Sequence, residues 1–195
     1  AGSEVILTSF RDDSVGGDTN GDGSASQPGS ADWGNIRAYT GGVVVIDHSI
    51  LRYGGYTSTI SGSTYGLLHV NSGSATVTSS ALASGYYGTW MSSGSLSVTD
   101  SEIASNSNRG IHSIGGTLNL SGDHIHGNQA DGVYAINTGL LVENCLIEDN
   151  GSSSSYSGIY IGYPVPVQPA GVNNTIQGSY QAIQIQVSSG ALNLP

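Results

Sequence analysis

The chain has 195 residues, 30 of them Gly, with a formal charge of −10 and charged side chains at only 9 %. It contains no Lys, and its cations are Arg11, Arg37, Arg52 and Arg109; without a basic footprint for a phosphate backbone, nucleic acid is excluded as a partner. No run is long and apolar enough for a membrane span, none reads as a signal peptide, and the lone Cys145 rules out an internal disulfide.

In chain order, Val5-Ile6-Leu7 reads as a strand, with Phe10 as the next inward residue. An acidic insertion over 11–35 follows. The strand pattern resumes at Ile36, and Val44, Ile46 and Leu51 match Ala75, Val77 and Leu82 of the next unit. A smaller insertion at 55–63 lengthens that unit. From Leu67 to Asn150 the pattern is regular: Leu82-x-x-Gly85, Ile103-x-x-Asn106, Ile125-x-x-Asn128 and Ile147-x-x-Asn150. Gly66, Gly88, Gly110 and Gly132 close these units at a fixed spacing of roughly 22 residues, and self-similarity of that length means a solenoid. After Asn150 an insertion at 151–157 lengthens one coil. The Pro164, Pro166 and Pro169 cluster disturbs the next, and a strand pair returns from Ile183 to Leu194. The expectation is an all-β, right-handed parallel β-helix of about seven coils, one domain over 1–195. The short lead from Ala1 into Val5 suggests a piece of a longer protein.

Stacking fixes the register. Equivalent strands lie about 4.8 Å apart, so equivalent residues form ladders. Ala75/Val77, Leu96/Val98, Leu118/Leu120 and Leu140/Val142 point inward, as do Leu67/His69, Thr89/Met91, Ile111/Ser113, Val133/Ala135, Ile159/Ile161 and Ile183/Ile185 after each closing position. Asn106, Asn128 and Asn150 form an amide ladder at one bend.

The repeat Ile-x-x-Asn-x-x-x-Gly-apolar resembles the right-handed parallel β-helix repeat of pectin-lyase-like proteins, over roughly residues 36–195. That resemblance implies the fold. Its functions are diverse, since the same fold hosts lyases, glycosidases, adhesins and inert spacers. The segment from Phe10-Arg11-Asp12-Asp13 to Asp32-Trp33-Gly34-Asn35-Ile36 also looks like a recurrent piece of large secreted bacterial β-helix proteins. It implies an extracellular or cell-surface parent with neighbouring modules.

Within the acidic insertion, Asp18-x-Asn20-x-Asp22-Gly23 has the first half of a calcium loop: oxygen side chains at alternate positions, then a Gly for the turn. The position where an EF-hand places its bidentate Glu is Gly29, so Asp12, Asp13 and Asp32 are the donors expected to complete the shell. The alternative is a solvated acidic loop.

The residue two after each closing position points outward: Arg37, Leu68, Trp90, His112, Tyr134, Tyr160 and Gln184. Stacking makes Trp90, His112, Tyr134 and Tyr160 an aromatic strip, suited to the apolar faces of sugars. The same strip equally suits packing beneath a loop or an interface. For catalysis the register offers Glu102 beside His124, His126 beside Glu148, and Arg109 beside Asp131. Cross-coil ion pairs on a polar surface explain these pairs, and no Ser-His-Asp set or zinc-type cluster is present. His48, His69 and Cys145 read as single packed or turn positions.

The expectation is a calcium-binding extracellular module with an adhesive or polysaccharide-contacting role, its partner a polysaccharide or another surface glycan, that binds or displays and does not catalyse. A polysaccharide lyase or glycoside hydrolase, and a purely structural spacer, are the alternatives. Uncapped terminal coils present strand edges, so end-to-end self-association is expected in an excised piece.

Overall fold

The computed structural model describes residues 4–57, 64–162 and 170–186. Strands and turns make up the described residues, with no helix among them. One sheet has seven strands, Val5–Leu7, Ser49–Arg52, Ala81–Ala83, Glu102–Ala104, His124–His126, Leu146–Glu148 and Thr175–Gln177, each hydrogen-bonded to the next. The other sheet has eleven strands and bends part-way along. Two of its strands, Leu68–Thr78 and Thr89–Thr99, run unbroken through the bend. In the coils that follow, the same path divides into Ile111–Ser113 with Gly116–Ser121, then Val133–Ile136 with Thr138–Glu143. Gly116 sits at the bend with φ +83°, a conformation in which a Cβ is strained. Every pairing within these two sheets is parallel, so the chain climbs one rung per coil.

The interior consists of ladders. Leu7, Leu51, Leu82, Ile103, Ile125, Ile147 and Ile176 are consecutive partners along the first sheet. Leu82, Ile103, Ile125 and Ile147 are fully buried, and each such side chain contributes about 2 kcal/mol by leaving water. The expected pairing of Val44 with Ala75, Ile46 with Val77 and Leu51 with Leu82 is present. So are the inward rows through Leu96/Val98, Leu118/Leu120 and Leu140/Val142.

At the amide bend, Asn106 Nδ2 donates to Asn128 Oδ1 and Asn128 Nδ2 to Asn150 Oδ1, both at 2.8 Å. Each amide oxygen also accepts a backbone N–H from the coil before it: Gly85, Asn106 and Asn128 in turn. The closing glycines are set by close approach, since a Cβ on Gly110 would lie 2.7 Å from the Gly132 carbonyl oxygen.

Two sequence expectations are corrected. Gly66 is one residue out of step with the other closing glycines, because Leu68 pairs with Thr89 and Leu67 donates its N–H to the Tyr87 carbonyl. The inward pair there is Leu68/Val70, with Leu67 buried at the turn, and His69 lies in the outward row beside Trp90. The hairpin insertion of this coil, whose strands Tyr56–Thr57 and Thr64–Tyr65 pair antiparallel, absorbs the difference. Phe10 is 68 % exposed, because the chain turns at Ser9, whose Oγ accepts the Arg11 N–H. The centre of the 55–63 insertion, the proline cluster and the strand expected beyond Gln186 lie outside the described residues.

Candidate functional site

The acidic insertion occupies the path between Val5–Leu7 and Ile36–Ala38 without forming a strand. Its core is a set of turns held by Asp and Asn side chains. Asp18 accepts the N–H of Asp22 at 3.1 Å and that of Gly23 at 2.8 Å, which curls the loop back on itself. Asn20 donates from Nδ2 to Asp22 at 3.1 Å and to Ser26 at 2.9 Å.

This folding brings one carboxylate oxygen each from Asp13, Asp18 and Asp22 within 4.8 Å of one another. Asp13 Oδ1 is buried and has no hydrogen-bond partner. Burial first, then the like charges of Asp18, Asp22 and Asp12, raise the Asp13 carboxyl above its ordinary range. Three hard oxygens converging in this way could hold a hard cation such as calcium, which takes several further oxygens from backbone carbonyls and water.

The other expected donors are placed differently. Asp12 is buried, its carboxylate 2.6 Å from Arg52 Nη2, and it also accepts the Thr8 and Ser14 hydroxyls. Burial opposes its ionisation, but those hydrogen bonds and the guanidinium outweigh it and hold the carboxyl below its ordinary range. Asp32 accepts from Ser9 Oγ at 2.6 Å and Gly29 N at 3.0 Å, and it pairs with Arg11 at 3.2 Å. These two carboxylates pin the ends of the loop and stay out of the convergent group. Trp33 assists by donating Nε1–H to the Arg52 carbonyl at 2.7 Å.

The outward row is a stack. Trp90 and His112 have centroids 4.0 Å apart, His112 and Tyr134 4.9 Å, and Tyr134 and Tyr160 4.7 Å, with interplanar angles of 16° or less. Rings carried on neighbouring rungs lie face to face along the solenoid axis, so their faces cover one another and their margins meet solvent. His112 is buried within the stack. Its burial, and secondarily Arg109, lower its pKa to about 3, so the imidazole is neutral. Arg109 crosses this stack: its guanidinium lies 3.9 Å from the Tyr134 ring centroid, donates to Asp131 at 2.8 Å and approaches His112 Nδ1 at 3.1 Å. Asp131 also accepts the Ser157 N–H. Lower in the row, His69 stacks on Tyr65 at 4.6 Å, and Arg37 covers the Tyr65 ring at 4.1 Å.

The expected cross-coil neighbours are present, but their hydrogen bonds run diagonally. His124 bonds Glu148 at 2.9 Å and His126 bonds Glu102 at 2.8 Å, while the two imidazoles stack at 4.0 Å. A further buried polar row escaped the sequence reading. Ser80, Ser101 and Asp123 each accept a backbone N–H from the coil before, that of Ser49, Ser80 and Ser101 respectively. Ser80 and Ser101 donate to the carbonyl two residues back, whereas Asp123 accepts the Ser121 N–H. Burial raises Asp123 to about 7. The signal was available in the sequence, because each of these residues stands immediately before a strand of the seven-stranded sheet.

Parallel pairing throughout both main sheets, internal side-chain ladders and one rung per coil define a parallel β-helix. The family model described as right handed beta helix region matches residues 41–193, and the chain belongs to that family. No curated protein and no solved structure matches it.

Proposed function

We propose that this chain is a calcium-binding extracellular β-helix module that contacts a polysaccharide and does not cleave it. The observation that carries the calcium reading is the convergence of Asp13, Asp18 and Asp22 around a buried, unpartnered Asp13 oxygen. A divalent cation there offsets three like charges, and it orders a loop attached to the solenoid through Asp12–Arg52 and Trp33. A contact role is supported by how the acid–base groups engage one another: His124 with Glu148, His126 with Glu102, and Arg109 with Asp131.

Calcium should bind with one ion per chain in a calorimetric titration and raise the melting temperature, and a chelator should reverse the rise. Asp18→Asn with Asp22→Asn should remove the difference. Identical melting with and without chelator overturns the metal reading. Failure to retain any glycan on affinity gels leaves the module as a structural spacer, and release of reducing or unsaturated ends from a polysaccharide makes it an enzyme.

A further inference from the structure

We propose that the glycan sits in a groove along the corner where the two sheets meet, and that it is a glycan without acidic groups. This rests on the polysaccharide reading above and moves its site away from the aromatic stack. The stack is poorly suited to a sugar, because a pyranose packs on an aromatic face, and neighbouring rungs occupy both faces of His112 and Tyr134 and one face each of Trp90 and Tyr160.

The groove has a volume of about 610 Å³ and crosses successive coils. Ile50, Ala81, Glu102 and His124 form one outward row on four adjoining strands, each the register partner of the next. At about 4.8 Å per rung that row extends roughly 14 Å, enough for a short run of sugar units. Its first half, Ile50 and Ala81, is apolar and half-buried, a floor for the C–H face of a sugar ring. Its second half carries the exposed Glu102 carboxylate, one oxygen of which bonds His126, and the His124 imidazole, which bonds Glu148.

Asp100 forms the wall. Its carboxylate leans over Gly122, where a Cβ would meet Asp100 Oδ1 at 2.3 Å, so the absence of a side chain at 122 gives Asp100 its place on the rim. Carboxylates on a rim above an apolar floor accept paired hydroxyl or amine donors, which sugars present at their ring edges.

Charge narrows the ligand class. No Arg or Lys lines the groove, while Glu4, Asp100 and Glu102 do, on a chain of net charge −10. A uronate or sulfated chain would meet Glu4, Asp100 and Glu102 there with no guanidinium or ammonium group to offset them, whereas hydroxyl or ammonium groups would be accepted.

The test is calorimetric titration of the calcium-loaded protein with four probes: a neutral β-linked glucose hexasaccharide, a chitosan hexasaccharide, a galacturonate hexasaccharide and an oligolysine. Binding of the glucose or chitosan chain is expected, with little loss at raised salt for the neutral one. Ala81→Tyr, which fills the floor, and Asp100→Asn with Glu102→Gln should each weaken it at least about tenfold at unchanged melting temperature. Tyr160→Ala, at the end of the stack, should leave it intact. Binding that survives both groove variants and is lost with Tyr160→Ala overturns the groove while keeping the polysaccharide reading. Preference for galacturonate overturns the ligand class, and salt-sensitive binding of oligolysine alone gives the groove to a basic protein segment. Binding of none of the probes removes the polysaccharide reading together with the groove.

Discussion

Asn128 donates from Nδ2 to Asn150 Oδ1 at 2.8 Å while its own Oδ1 accepts both the backbone N–H and the Nδ2 of Asn106. One side chain therefore serves three successive coils. Asn128→Ala leaves the Asn106 N–H without an acceptor in a buried bend and its Nδ2 with only the Leu82 carbonyl at 3.3 Å, and should cost about 3 kcal/mol. Urea unfolding should show this as a lower midpoint at unchanged slope. Asn119→Ala, on the exposed outer face, should move the midpoint by no more than about 0.5 kcal/mol.

Thr89 occupies an inward position between Leu68 and Ile111, is fully buried, and its hydroxyl has no partner. Thr89→Val keeps the shape and removes the unpaired polar atom, so it should stabilise the fold by about 1 kcal/mol. A lower melting temperature for this variant means the hydroxyl has a partner after all.

Asp123 gives a pH dependence of unusual sign. Its folded-state pKa of about 7 lies above the ordinary 3.8, so the folded form holds a proton that the unfolded chain has released. The stability this contributes is complete below the unfolded value and is lost as pH rises through about 7. The titratable groups that bear on it are Asp100 and the Cys145 thiol, the latter kept neutral by burial. Wild-type protein should lose about 2 kcal/mol more between pH 5 and pH 8 than Asp123→Asn, measured by urea unfolding at both pH values. Parallel curves for the two proteins would contradict it.

Arg109 holds Asp131, a carboxylate buried to 3 % exposure of its side chain, and covers the face of Tyr134. Arg109→Ala strands that charge and should cost about 3 kcal/mol. Lys should rescue little, because an ammonium cannot bond Asp131 and His112 from one planar fork while lying on a ring. Thermal unfolding of the three proteins orders them wild type, Lys, Ala, with Lys close to Ala.

Asp12 and Asp13 are adjacent in the chain and should behave oppositely. Asp12→Asn breaks the Arg52 pair, so it should lower the stability of the calcium-free protein and leave calcium affinity within about threefold. Asp13→Asn removes a convergent negative charge and should weaken calcium at least about tenfold, and it should stabilise the calcium-free form slightly by relieving repulsion. Calorimetry with melting of each variant separates the two roles.

The ladders were legible because a solenoid repeats its environment. Once Ile103, Ile125 and Ile147 are aligned, their partners follow by counting, and the amide ladder and the aromatic row came out of that count. Counting failed where the coil length changed. Gly66 looked like Gly88, but the hairpin around Tyr56 and Tyr65 shifted the register by one residue and exchanged the faces of Leu68 and His69. In the loop, composition marked six oxygen donors, while the turns chose among them. Asp13 joined Asp18 and Asp22, and Asp12 and Asp32 were taken by Arg52 and Arg11.

By itself the sequence determined the architecture, since periodic apolar positions and glycines at close approaches permit one way of stacking coils. Tertiary structure alone decided what each decorated position can do. Parallel stacking at one rung per coil turned a row of aromatics edge-on, and it let Ile50, Ala81, Glu102 and His124, far apart in the chain, meet in one groove. Period-two alternation tells which side of a strand a residue takes, and the turns and neighbouring coils then determine which of its atoms remain available to a ligand.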